Sequence, residues 1–164
     1  MEKEKFIELI SANKNLIYKV CNSYCSNYED RKDLEQEILL QIWKSLKNFD
    51  GRVKITTWIY KIALNTAISF YRKDIKKIDK ARNDINNLII SLPDNEYDSE
   101  IDEKIGILYK LIEQLSKLDK ALILLYLDSY KYKEIAEILG ITETNVATKL
   151  NRIKKSLKEQ IINF

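Results

Sequence analysis

The 164-residue sequence contains no histidine, one proline, three glycines and two cysteines. Few glycines and prolines disfavour a turn-rich β sandwich or barrel and favour long helices. Without histidine, Cys21 and Cys25 cannot complete a four-ligand zinc site, so we expect two buried, reduced thiols. The longest apolar run, 121–127, is too short to cross a bilayer, and the charged start, 1–8, is unlike a secretion signal. The composition predicts a cytoplasmic protein with no metal, no cofactor and no direct membrane insertion.

The charges of the sequence are unevenly distributed. Residues 1–80 carry a net charge of +5, residues 81–106 carry −5, and residues 107–164 carry +3. Basic ends around an acidic middle are typical of a chain with two surfaces for a polyanion, joined by a segment that avoids it.

Apolar residues recur at helical spacing on both sides of this acidic middle. We therefore predict an all-α fold of two small helical domains, 1–74 and 106–164, joined by a flexible acidic linker, 75–105. In the first domain, the pattern predicts a helical hairpin, a long helix capped by Asp30 or Asp33, a turn at Gly51, and another amphipathic helix. The inner face of that last helix would carry Ile55, Trp58, Ile59, Ile62, Ala63 and Thr66.

The second domain is predicted as a four-helix unit that contains a helix-turn-helix at 132–146. Its helices are expected at 101–115, 119–128, Tyr132–Leu139 and Glu143–Ile162. Ala136 is small where a second helix crosses, and Gly140 supplies a left-handed turn residue. Val146 buries the second helix against the first, and Thr142 can cap that second helix.

A helix-turn-helix places its second helix in the major groove of DNA. Polar side chains early on this helix and cations later suit base recognition followed by phosphate contact. The alternative interpretation is a plain helical core with a solvated lysine face. The exposed residues that we expect to bind duplex DNA are Asn145, Thr148, Lys149, Asn151, Arg152 and Lys155.

Three segments, in order, resemble the extracytoplasmic-function (ECF) sigma factors of bacterial RNA polymerase. The segment DRKDLEQEILLQIW, 30–43, resembles their polymerase-binding helix. The segment TWIYKIALNTA, 57–67, with Arg72 after it, resembles their promoter-melting and minus-10 helix. The helix-turn-helix and its continuation, 151–154, resemble their minus-35 recognition unit. Ala147 and Asn151 depart from the common pattern, so the promoter sequence is not carried over.

The resemblance implies a role for each segment. An acidic, amide-rich stripe beside apolar residues can dock on a basic coiled-coil surface. An acidic first turn that satisfies the helix dipole is the alternative. We expect Trp43 to lie chiefly in the core. The polymerase-binding residues implied are Asp33, Gln36, Glu37 and Leu39.

The minus-10 segment would hold unpaired bases, which need polar edges, pockets and cations. Residues 52–80 contain eight basic and two acidic side chains. Trp58 is expected in the core, whereas Tyr60 could be exposed. The implied contact residues are Asp50, Arg52, Lys54, Lys61, Asn65, Ser69, Arg72 and Lys73.

By this resemblance the chain is a promoter-specificity subunit without catalysis of its own. Its implied partners are core RNA polymerase, promoter DNA and, on the resemblance alone, an anti-sigma factor. One alternative is an autonomous helix-turn-helix regulator that binds duplex DNA as a dimer. Another is a nuclease, which the missing histidine, the missing glycine-rich phosphate loop and carboxylates spread over helix faces disfavour.

Overall fold

The computed structural model describes the backbone of residues 2–73 and 99–164 and the side chains of residues 3–70 and 103–164. Over these residues it contains eight helices and no strand. The chain divides into two compact units, Met1–Ile85 and Asn86–Phe164, named here the N-terminal unit and the C-terminal unit. The predicted all-α fold is confirmed.

The N-terminal unit contains helices α1 (Glu2–Ala12), α2 (Lys14–Tyr24), α3 (Tyr28–Leu46) and α4 (Ile55–Lys73). Only Asn13 separates α1 from α2, and its buried side chain donates a hydrogen bond to the Leu9 carbonyl at 2.9 Å. A helical hairpin needs a loop of about two to five residues. The predicted hairpin is therefore wrong, because a single residue interrupts the helix without a loop.

Helix α3 begins one or two turns earlier than predicted. Asn27 is its N-cap, and the Asn27 side-chain oxygen accepts a hydrogen bond from the Asp30 N–H at 2.8 Å. Asp30 and Asp33 both lie inside the helix, so neither caps it. The helix ends before a loop in which Gly51 has a φ of +73°, as the predicted turn requires.

Helix α4 packs against both α2 and α3, so it buries a wider face than the predicted one. Tyr60, only 1% exposed, belongs to this core. Trp58 is half-buried and its ring lies 5.0 Å from that of Phe49, which packs the loop before α4 against the helix. The buried residues of α4 are Ile59, Tyr60, Ala63, Leu64 and Ala67, whereas the predicted Ile55, Ile62 and Thr66 are half-buried.

The C-terminal unit contains α5 (Ser99–Glu113), α6 (Lys117–Leu127), α7 (Tyr132–Leu139) and α8 (Glu143–Ile162). The bounds of α7 and α8 are those predicted. Helix α5 begins before the predicted domain boundary, so residues 99–105 of the predicted linker are helical. The rest of that linker, 75–98, lies outside the described residues.

Helix α6 lies in the core of the C-terminal unit and contacts α5, α7 and α8. It accordingly buries five consecutive residues, Ala121, Leu122, Ile123, Leu124 and Leu125. Each such aliphatic side chain larger than alanine contributes roughly 1.5–3 kcal/mol when fully buried. This core fixes the backbone of α6 beneath the helix-turn-helix.

Candidate nucleic-acid and protein interfaces

The turn between α7 and α8 has the geometry that a helix-turn-helix requires. Gly140 ends α7 in the left-handed conformation, with φ 68° and ψ 35°. The Ile141 N–H closes the turn by donating to the Ala136 carbonyl at 3.1 Å. Val146 and Leu150 of α8 are fully buried, as is Ile135 of α7. The predicted helix-turn-helix core is confirmed at Ile135, Val146 and Leu150, whereas Leu139 and Ile141, also expected in it, are half-buried.

The first turn of α8 is fixed by its N-cap. The Thr142 hydroxyl accepts a hydrogen bond from the Asn145 N–H at 3.1 Å, as predicted. The start of α7 is fixed similarly, because the Glu134 carboxylate accepts from the Lys131 N–H at 2.8 Å. Both helices therefore begin at defined residues, which sets the direction in which α8 projects its outer face.

The outer face of α8 carries polar side chains near its start and cations further along. Asn145, Thr148, Asn151 and Lys155 are exposed, and Lys149 is half-buried. The Thr148 hydroxyl donates to the Thr144 carbonyl at 3.0 Å. This face offers hydrogen-bonding groups and positive charge to a polyanion, the combination used for groove binding.

Arg152 lies on the same face, and its side chain is 64% exposed. Its Nη2 donates to both carboxylate oxygens of Asp119, at 3.2 and 3.4 Å. Asp119 is in the first turn of α6 and its side chain is only 17% exposed. No local sequence pattern predicts this pair, because 33 residues separate its members.

The exposed side of α4 and the loop before it form a second polar surface. Lys61, Asn65 and Ser69 recur every four residues and are all exposed. Lys54 in the loop is exposed as well. The side chains of Arg72 and Lys73 lie outside the described residues. This surface supplies a cation, an amide and a hydroxyl along one helix face.

In the loop before α4, Asp50 holds Arg52. One Asp50 oxygen accepts from the Arg52 N–H at 3.1 Å, and the other lies 3.1 Å from Arg52 Nε. The Arg52 side chain is 86% exposed, so this ion pair contributes little stability. Its effect is to shape the loop and hold the guanidinium near Asp50.

The outer face of α3 is partly apolar. Asp33 and Gln36 are exposed, while Glu37 and Leu39 are half-buried. Leu40, which sequence reasoning missed, is 43% exposed. It follows Gln36 by four residues, and this spacing places both on one helix face.

Trp43 lies on this face too, since it follows Gln36 by seven residues. It is 44% exposed, and its ring meets that of Phe6 edge-on at 4.9 Å. The expectation that Trp43 lies in the core is therefore wrong, because the core of α3 is formed instead by Leu34, Ile38 and Ile42. Exposed large apolar groups beside acids and amides are typical of a protein-binding surface.

Cys21 and Cys25 are buried thiols on and just after α2, and they form no disulfide. Burial, with a smaller contribution from Cys25, raises the pKa of Cys21 from 9.0 to about 12. Such a thiol holds its proton at neutral pH and is a poor nucleophile. Within the described ranges there is no group of three or more potential metal ligands and no helix long and apolar enough to cross a membrane.

Two family models match the chain. Sigma-70 region 2 matches residues 9–76, and sigma-70 region 4 matches residues 105–157. The ECF RNA polymerase sigma factor SigW of Bacillus subtilis (strain 168) is 25% identical over 98% of the chain and 90% of that relative. RNA polymerase sigma factor YlaC of the same organism is 31% identical over 81% of the chain and 78% of that relative.

A solved structure has a similar fold. It is the sigma factor RpoE from Bartonella quintana, crystallised with the anti-sigma factor NepR. The two share a TM-score of 0.69 and 20% sequence identity over 98% of this chain and 96% of that one. The region 2 match falls within the N-terminal unit, and the region 4 match falls within the C-terminal unit.

Proposed function

This chain belongs to the ECF group of RNA polymerase sigma factors, and we propose that its three exposed surfaces make three contacts of promoter-specific initiation. One surface binds core RNA polymerase, one holds the opened minus-10 strand and one binds the minus-35 duplex. The observation that carries the proposal is the order of two matched sigma-70 regions, each on its own compact unit. The dimeric regulator is not favoured, because region 2 occupies the half where a dimerisation domain would be needed.

The polymerase contact is assigned to the outer face of α3. Its predicted residues, Asp33, Gln36, Glu37 and Leu39, are joined by the exposed Leu40 and Trp43. Apolar groups would supply most of the affinity, and the acids and amides would select a basic partner surface. The catalytic centre of transcription would then belong entirely to polymerase, and this chain would contribute specificity.

The minus-10 contact is assigned to α4 and its preceding loop. The exposed row of Lys61, Asn65 and Ser69 supports this assignment, because unpaired bases need hydrogen-bonding edges and their backbone needs cations. Asp50 holds Arg52 in the loop at the start of this row. The complete proposed set is Asp50, Arg52, Lys54, Lys61, Asn65, Ser69, Arg72 and Lys73.

The minus-35 contact is assigned to α8. The exposed Asn145 and Thr148 near its start would meet base edges, and Lys155 would meet phosphate. Lys149, Asn151 and Arg152 complete the proposed set. In the division of the chain that we propose, residues 1–74 carry the first two contacts, residues 106–164 carry the third, and the acidic segment 75–105 connects them.

We propose two further features of this sigma factor. Its place of action is the cytoplasm, where core polymerase and the chromosome lie. Its second protein partner is an anti-sigma factor, since the similar RpoE was crystallised with one.

The polymerase contact is tested by pull-down of the full chain with core RNA polymerase from Bacillus subtilis, the organism of the similar sigma factors SigW and YlaC. We expect the double variant Gln36→Ala plus Glu37→Ala to bind less core enzyme than the wild type. The matched control is Glu159→Ala plus Gln160→Ala, which removes one glutamate and one glutamine, both exposed, from α8. Equal binding by both double variants would overturn the assignment to α3.

A further inference from the structure

We propose that Asp119 is a positioning residue, which fixes the guanidinium of Arg152 and thereby sharpens discrimination between the minus-35 duplex and other DNA. This inference rests on the proposed function of α8. Asp119 itself lies on α6, outside the helix-turn-helix. It would act only through Arg152.

The carboxylate of Asp119 is well suited to hold another group still. The backbone N–H of Asp119 donates a hydrogen bond to the Ser116 hydroxyl at 3.3 Å, and the Asp119 side chain is mostly buried. The helix that carries it buries five consecutive residues. The anchor is therefore fixed, whereas the long side chain of Arg152 is largely exposed and would otherwise sample many rotamers.

The ion pair leaves Arg152 able to bind DNA. Both contacts with Asp119 use Nη2. A guanidinium has five N–H donors in a fixed fork, so the donors on Nη1 and Nε are not used by Asp119. Because Arg152 shares the outer face of α8 with Asn145 and Lys155, those donors can reach a base edge.

The same pair works against binding at random sites. A phosphate that draws Arg152 away must break the contact with Asp119 and leave a carboxylate close to a polyanion. A duplex that receives the guanidinium in its held position avoids both costs. Loss of the carboxylate should therefore have opposite effects, strengthening binding to random DNA and weakening preference at the minus-35 element.

The first test uses the full chain with a random-sequence duplex, and measures affinity by fluorescence anisotropy across salt concentrations. Freeing Arg152 adds one cation for phosphate, so the slope of log affinity against log salt should steepen by about 0.9 in Asp119→Asn. The control Glu113→Gln makes the same change in net charge at an exposed site on α5. The double variant Asp119→Asn plus Arg152→Ala should lack the steeper slope.

The second test uses holoenzyme made with Bacillus subtilis core polymerase and a duplex library randomised in the upstream segment. Wild-type holoenzyme should enrich an upstream motif. Asp119→Asn should lose preference by about 5- to 10-fold at one or two base pairs, within the usual range for a lost base contact. Arg152→Lys keeps the charge without the fork, so it should lose preference at the same base pairs.

The possible results separate the two levels of the proposal. If the wild type enriches no motif, the function proposed for α8 fails, whereas the salt comparison still tests the pair. If Asp119→Asn keeps the salt slope of Glu113→Gln and the base preference of the wild type, the positioning role is overturned. If Asp119→Asn melts at a much lower temperature than the wild type, the test rests on Arg152→Lys. An unchanged base-pair preference in Arg152→Lys would then refute the positioning role of Asp119.

Discussion

Replacing Leu40 by alanine should weaken the binding of core polymerase by about five-fold and leave the N-terminal unit folded. Leu40 is 43% exposed on the outer face of α3. Full burial of a leucine side chain is worth about 1.5–3 kcal/mol. The part still available to a partner is therefore worth about 1 kcal/mol, which corresponds to roughly five-fold in Kd. Because Leu40 is so exposed, its removal should change the free energy of unfolding little.

The assay is a titration of fluorescently labelled full chain with core polymerase, with Tyr18→Ala as the control. Tyr18 lies on α2 and is 46% exposed, so its removal costs a comparable apolar area at a site outside the proposed contact. Circular dichroism and the melting temperature check that both variants fold. Wild-type affinity in Leu40→Ala, or equal losses of affinity in both variants, would show that α3 does not present the docking surface.

Two further predictions concern stability and reactivity. Gly140→Ala should destabilise the C-terminal unit by about 1–2 kcal/mol because φ is +68°, and Gly140→Asn should destabilise it by less. The cost comes from the backbone conformation alone, since an added Cβ would meet no atom within 4 Å. Urea unfolding followed by circular dichroism measures the loss, because both tryptophans lie in the N-terminal unit and tryptophan fluorescence would not report on this one. Cys21 should resist alkylation at pH 8 until the chain unfolds. The contribution of Cys21 to stability should fall above pH 9, because the thiol then ionises in the unfolded chain but not in the folded one. The urea midpoints of the wild type and of Cys21→Ala should therefore move closer together as the pH rises above 9.

The helix-turn-helix could be predicted from sequence because its determinants are local. A small residue at Ala136, a left-handed turn at Gly140 and a buried Val146 have fixed spacings, and these gave the bounds of α7 and α8 correctly. The start of α3 was predicted less well, since Asn27, Asp30 and Asp33 are all good capping residues. Only the backbone geometry distinguishes which of them lies outside the helix.

Exposure was harder to predict than helix position. Spacing puts Trp43 on a helix, but its burial depends on which neighbours pack there, and the side chain stays 44% exposed although the ring of Phe6 meets it edge-on. Tyr60 is buried because α4 packs against two helices rather than one. The pair of Asp119 and Arg152 joins two helices across 33 residues and follows no local pattern. These features depend on tertiary packing, which apolar periodicity does not encode.

In the proposed function, this chain gives core polymerase its choice of promoter. The most direct test of this function is in vitro transcription with core polymerase over a pool of genomic DNA, followed by mapping of the start sites. We expect discrete start sites that need the chain and share two upstream motifs at a fixed spacing. Start sites no different from those of core enzyme alone would contradict this function. The contradiction would be clearest if the chain also bound palindromic duplex DNA as a dimer without polymerase.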